Sequence, residues 1–209
     1  MGIILDPGYA TAHQWYGSFL EAEGRFDEAR REIERARELD PVSLIINLNF
    51  AEYFVKTRRY DQAREQVQKV FELDPNFYHA HLCLAEIYMH EGNCPLAQDS
   101  LRKAVSLESD NLFPLLELGK GYARCGKKDE AMEILARLQV QSAENYIPPS
   151  GIASIYAELG NKTQAFDWLE KAFRDRDDDL IYLEKSQEFA SLRSDPRFAD
   201  LVRRTSIPL

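Results

Sequence analysis

The sequence predicts an all-α fold, a solenoid of stacked helix–turn–helix repeats, and three observations carry that expectation. Leu-Asp-Pro stands at 5–7, 39–41 and 73–75, which sets Pro7, Pro41 and Pro75 on a step of 34 residues; the next step reaches Ser109 within Leu107-Glu108-Ser109-Asp110, a degraded copy. Frames opened at 10, 44, 78, 112 and 146 put Ala29, Ala63, Ala97, Ala131 and Ala165 in one column, the twentieth. The same frames align Gly17, Ala51, Ala85, Gly119 and Ala153 at column 8, and Ile33, Val67, Leu101, Leu135 and Leu169 at column 24. A period of this length marks supersecondary units that bury their apolar faces only by stacking.

Each unit is predicted to hold two helices. Columns 4, 7, 8 and 11 share one face of the first helix at 3.6 residues per turn, and columns 20, 24 and 27 share one face of the second. Small residues at columns 8 and 20 let the pair approach closely. Bulky residues such as Leu20, Phe54, Tyr88, Tyr122 and Tyr156 at column 11 fill the space around that contact. Column 15 holds Gly24, Arg58, Gly92, Gly126 and Gly160, and glycine there suits a helix C-terminus that needs a left-handed residue. Asp27, Asp61 and Asp129 at column 18 are expected to cap the second helix, with Thr163 doing so in the last frame and Pro95 entering a first turn in the third. Proline at column 32 closes the unit.

These columns resemble the tetratricopeptide (TPR) repeat. The resemblance implies a right-handed TPR superhelix, an α-solenoid, with five repeats at 10–43, 44–77, 78–111, 112–145 and 146–179. Column 4 departs from the family, which often has Trp there; this chain has His13, Asn47, His81, Leu115 and Pro149. Residues 1–9 read as the tail of a truncated preceding repeat, so the chain is expected to be a fragment of a longer protein. Residues 180–209 leave the period and read as C-terminal capping helices, with starts at Ser186 and at Ser194-Asp195-Pro196 and an apolar stripe of Phe189, Leu192, Phe198, Leu201 and Val202. Trp168-Leu169-Glu170-Lys171-Ala172-Phe173, Tyr182-Leu183, Leu192-Arg193-Ser194-Asp195-Pro196-Arg197-Phe198, Leu201 and Arg203-Arg204 resemble the close of C-terminal TPR arrays in large bacterial signalling and regulatory proteins. That implies a scaffold segment with its effector domain elsewhere.

Composition narrows the function. The 209 residues are 44% apolar and 29% charged, ordinary for a globular chain, with a net charge of −9. An acidic chain gains nothing from counterion release on phosphates, so no nucleic acid is expected as partner. No apolar run approaches a membrane span, and no basic region precedes an apolar core at the N-terminus. Asp6 stands where a myristoylation pattern needs Ser or Thr. Cysteines number three, few and odd, so a disulfide framework is not expected. Cys94 and Cys125, near inter-helix turns of adjacent repeats, read as thiols, which favours a reducing, cytoplasmic compartment unless the parent chain spans a membrane.

No catalytic set or cofactor is expected. Gly121–Lys128 comes near a P-loop, but Lys128 takes the place of the Mg²⁺-binding Ser or Thr and no strand precedes it. Asp175-Arg176-Asp177-Asp178-Asp179 mimics the start of a calcium loop, yet Leu180 and Ser186 fill the positions that need Gly and Glu, so it reads as a solvated acidic connector. His79, Cys83, Glu86 and His90 share one helical face and are all zinc-ligand types. One helix offers a metal only two ligands as a rule, so no metal site is expected and the face reads as partner-binding.

The expected partner is a protein or peptide. In TPR proteins the first helix of each repeat lines the groove, which here assigns Thr11, Gln14, Trp15, Ser18 and Glu21; Ile45, Leu48, Asn49, Glu52, Val55 and Lys56; His79, Leu82, Cys83, Glu86, Met89 and His90; Phe113, Leu116, Glu117, Lys120, Ala123 and Arg124; and Ile147, Ser150, Ser154 and Glu158. Leu48, Leu82 and Leu116 at column 5 are expected to form a solvent-facing apolar stripe, flanked by Glu52 and Glu86 and, further on, by Lys120 and Arg124. An amphipathic helix or extended peptide of mixed charge suits such a surface. The carboxylate clamp of chaperone-tail binders is not expected, because Gln14, Ser18, Asn49, His79 and Cys83 match it only at Asn49. The alternative is self-association through an uncapped N-terminal end near Ile3, Ile4 and Leu5, or packing within the parent chain.

Overall fold

The computed structural model describes residues 7–141 and 146–205. Among them the chain is helical, without strands, and it divides into two compact units, 1–108 and 109–209. The tail expected at Ile3, Ile4 and Leu5 lies outside the described residues.

Unit 1 holds α1 (Ala10–Ala22), α2 (Phe26–Leu39), α3 (Leu44–Lys56), α4 (Tyr60–Leu73), α5 (Tyr78–His90) and α6 (Cys94–Leu107). They pack as the pairs α1/α2, α3/α4 and α5/α6, and the first helices α1, α3 and α5 lie side by side. The alanines of column 20 are the reason the pairs sit close: Ala29, Ala63 and Ala97 are fully buried. The core runs through Ile33, Ala51, Phe54, Val67, Val70 and Ile87. Gly17 shows how little room there is, since a Cβ on it would stand 2.7 Å from Ile33.

Unit 2 holds α7 (Leu112–Arg124), α8 (Lys128–Gln141), α9 (Pro149–Glu158), α10 (Lys162–Asp175), two 3₁₀ turns (Asp178–Tyr182 and Gln187–Leu192) and α11 (Pro196–Thr205). Helices α7 and α8 pair, as do α9 and α10, and α7 packs on α9. At that contact a Cβ on Gly151 would fall 2.4 Å from Leu116. Of the apolar stripe expected after residue 180, Phe189, Leu192, Phe198 and Leu201 are buried, and Val202 is partly so. The first start becomes a 3₁₀ turn. The second is capped by Asp195, which accepts from the Arg197 amide at 3.0 Å and whose carboxyl the Arg197 guanidinium and amide hold down at about 2.

The turn glycines behave as their column requires, with φ between +72° and +76° at Gly24, Gly92, Gly126 and Gly160. Arg58 occupies the same column at φ +59° and has no such freedom. The expected caps are displaced. Asp27, Asp61, Asp129 and Thr163 lie inside the second helices, and the acidic three favour the helix dipole from the first turn. The cap position is two residues earlier, where Asn93 and Asn161 accept from the amides of Leu96 and Gln164.

Column 4 gains an explanation. His13 Nε2 lies 3.1 Å from the carbonyl of Pro7, Asn47 Nδ2 donates to that of Pro41 at 2.8 Å, and His81 Nε2 lies 3.4 Å from that of Pro75. A polar side chain at this column ties the helix to the proline that closes the preceding repeat. That accounts for polar residues where the family often has Trp.

Candidate partner-binding face

The first helices of unit 1 carry a connected polar row. Gln14 on α1 donates to Asn49 Oδ1 on α3 at 2.6 Å, and Asn49 donates in turn to Glu52 Oε2 at 2.9 Å. Lys56 on α3 reaches back to Glu21 on α1, Nζ to Oε2, at 2.5 Å. Glu21 is buried, and its second oxygen, Oε1, has no hydrogen-bond partner. Burial raises the Glu52 carboxyl above its ordinary value; the Asn49 bond and Lys56 pull it down, and the charges of Glu86 and Glu21 push it up again. The Cys83 thiol is raised well above its ordinary value by burial, then by Glu52 and Glu86. Glutamates on three adjacent helices therefore share one field.

On α5, His90 stacks on Tyr60 with ring centroids 5.4 Å apart, and its Nε2 is 3.7 Å from Glu86 Oε1. His79 packs against Tyr78, its protonated form is disfavoured by burial, and its Nδ1 is buried without a partner. Cys83 is buried as a free thiol while Glu86 is exposed, so the four zinc-type residues of α5 do not face one space. Among the described residues no three His, Cys, Asp or Glu side chains gather as a metal requires. Ile45 is exposed at 41%, and Leu82 and Met89 are half-buried.

The solvent-facing leucine stripe is corrected at two of its three members. Leu48 belongs to the core of unit 1, and Leu116 is covered by Gly151 and its neighbours in unit 2. Both are 3% exposed; only Leu82 keeps part of its surface. Column 5 faces the adjoining first helix as well as the groove, and sequence periodicity does not separate these two directions.

In unit 2 the groove columns meet the chain's own C-terminal segment. Lys120 donates to Glu117 at 2.9 Å and to Glu188 at 2.8 Å. Burial disfavours its charge, but the two carboxylates outweigh that and hold it above the ordinary lysine value. The 3₁₀ turn at Gln187–Leu192 packs on α9, and Ser191 Oγ donates to the Ala157 carbonyl at 3.4 Å. Ile147, Ser150 and Ser154, expected to line a groove, are buried. Phe113 and Arg124 keep their exposure.

The acidic connector is corrected at one residue, Asp177, while Asp175, Arg176, Asp178 and Asp179 are exposed. Asp177 is 6% exposed rather than solvated, and its carboxylate accepts from the amides of Ser150 at 2.9 Å and Asp179 at 3.1 Å. Helix α9 begins Pro148-Pro149, whose rings offer no side-chain cap, so an early amide needs an acceptor from elsewhere. The signal in the sequence was that missing cap; nothing local points to residue 177 as its source. Cys94 and Cys125, read from sequence as thiols, are disulfide-bonded, which removes the support they gave to a reducing compartment.

Two family models, each described as a tetratricopeptide repeat, match the chain, one over residues 48–111 and the other over 10–43 and 151–174. No curated protein matches it. Among solved structures, TTC0263, a thermophilic TPR protein of Thermus thermophilus, is 23% identical over 93% of this chain and 99% of its own, with a TM-score of 0.65. The APC/C hetero-tetramer Cut9-Hcn1 is 20% identical over 98% of this chain and 44% of that one, with a TM-score of 0.66. A tetratricopeptide repeat protein of Parabacteroides merdae is 16% identical over 97% and 86%, with a TM-score of 0.60. These likenesses carry the fold.

Proposed function

The chain belongs to the tetratricopeptide repeat family, and from that premise we propose that it holds a peptide or helix of a partner protein on the α1–α3–α5 face of unit 1. Proteins of this family are protein-interaction scaffolds and generally not catalysts, and this chain is such a scaffold. Among the described residues no helix is long and apolar enough to cross a membrane.

The observation that carries the reading is the state of the groove columns. In unit 2 they are engaged by residues 177–192; in unit 1 the same columns present Ile45, Asn49, Glu52, Leu82 and Glu86 with no segment of that unit laid over them among the described residues. A polar row between apolar flanks suits an amphipathic ligand. The test is capture of partners by the wild type beside Ile45→Asp/Leu82→Asp, both checked for helical signal. A partner kept by the first and lost by the second supports the site; identical capture by both overturns it.

The repeat frames opened at 10, 44, 78, 112 and 146 are part of the same proposal. So is membership in a larger bacterial signalling or regulatory protein, which the resemblance of residues 168–204 to the close of such arrays supports. A second reading, self-association, is favoured by the exposed aromatics at the first pair: Trp15 is 68% exposed, Phe19 55% and Tyr9 51%. Sedimentation across a concentration series tests it, and a constant monomer mass rejects it.

A further inference from the structure

Lys120 in unit 2 and Glu52 and Glu86 in unit 1 occupy the same column of their repeats, the ninth. Lys120 finds its counter-charges within its own unit, in Glu117 and Glu188. The two glutamates carry the opposite sign and, among the described residues of unit 1, have no comparable pair of cations. Glu52 accepts from the neutral amide of Asn49, and Glu86 Oε1 stands 3.7 Å from the imidazole of His90. Glu21 adds a third carboxylate, which Lys56 holds by one oxygen while the other is buried and unpartnered. Glu21 and Glu86 both act on Glu52 through charge, and Lys56 is the ammonium that opposes them. Three carboxylates against one ammonium leave this face negative, with Glu21 buried, Glu52 half-buried and Glu86 open to solvent.

The apolar neighbours fit the same ligand. Leu82, Glu86 and Met89 follow one another at i, i+4 and i+7 on α5, so the Glu86 carboxylate stands between apolar side chains on its own helix face. An arginine or lysine has a matching form, an aliphatic stem with a cationic tip.

We propose that this face reads a basic side chain: the partner's segment places an arginine or lysine against Glu52 and Glu86, with its stem on Leu82 and Met89. The proposal rests on the α1–α3–α5 face being the partner site, and it supplies the chemistry of that partner. What Glu188 does for Lys120 from within the chain, the ligand's cation does for Glu52 and Glu86 from outside it.

The experiment selects displayed random peptides on the full chain at low salt, then measures the best of them as a synthetic peptide in solution. The selected peptides are expected to share one Arg or Lys among apolar residues. Replacing that residue by Gln, or making Glu52→Gln/Glu86→Gln in the protein, is expected to weaken binding about tenfold, and the two changes together to cost little more than either alone. Both glutamine variants should melt no lower than the wild type, because they remove like charges. Peptides that are lost on Leu82→Asp yet carry no basic residue, or that ignore the glutamine variants, overturn the cation reading and leave the groove standing. Peptides indifferent to Leu82→Asp, or no selection at all, overturn both.

Discussion

Unit 1 and unit 2 are built from the same helix pair and differ in what meets their first helices. In unit 2 the chain returns after α10 and fills the groove columns itself: Asp177 takes the Ser150 amide, Glu188 takes Lys120, and Leu192 is fully buried. In unit 1 the equivalent columns carry Glu52 and Glu86, and the polar row crosses from Gln14 on α1 to Asn49 on α3 and runs on along α3 to Glu52. A solenoid satisfies its first-helix faces either with its own residues or with a partner's. The charged members of column 9 follow that division, Lys120 where the chain supplies a carboxylate and Glu52 and Glu86 in unit 1, while Ser18 and Ser154 are neutral.

The comparison is broken most severely at Leu192. Leu192→Asp puts a charge into a site with no exposure and is expected to cost roughly 4 kcal/mol or more. Hydrogen exchange should show protection lost in α9, against which this 3₁₀ turn packs; unchanged protection there rejects the role of the returning chain. Asp177→Ala strands the amides of Ser150 and Asp179 and is expected to cost about 2 kcal/mol. Hydrogen exchange at Ser150 reads it directly, and unchanged protection there rejects the capping role.

Glu52 sharpens the comparison from the other side. Its folded value is raised above the 4.5 of an ordinary glutamate, so the native state holds the proton more tightly than the unfolded chain. This residue's contribution to stability therefore grows as pH falls through the raised value and levels off below 4.5. Glu52→Gln is expected to raise stability at neutral pH and to flatten that part of the profile, as seen by denaturant titration; a steeper profile in the variant refutes the sign. The smallest expected effect is Arg58→Gly, a gain of about 0.5–1 kcal/mol from removing a side chain at positive φ, read from the melting temperature.

Much of the fold was legible because the repeat writes each constraint five times. Ala29, Ala63, Ala97, Ala131 and Ala165 mark the tight helix contact, and all five are fully buried. Glycines at column 15 mark the left-handed turn and take positive φ, and Arg58 is the member of that column that does so with a side chain. The face was less legible. Periodicity places Leu48 and Leu116 on the groove side of a helix, but burial depends on what the neighbouring helix brings, and Gly151 is what lets α9 close over Leu116. Capping was misplaced by two residues because an aspartate favours both the cap and the first turn. Asp177 was unreadable for a different reason: its partner is 27 residues away in sequence and offers a backbone amide, which leaves no trace in residue type.

That last bond has a consequence for the order in which the molecule is made. A ribosome delivers the chain from its N-terminus, so α9 emerges before residue 177 exists. Its opening turn must wait, with the Ser150 amide bound to water, through the synthesis of α10 and the acidic stretch that follows. Each pair of unit 1 can close as soon as its second helix is out. The α9/α10 pair closes only when the chain has passed beyond it and turned back, which makes residues 177–192 the latch of that pair.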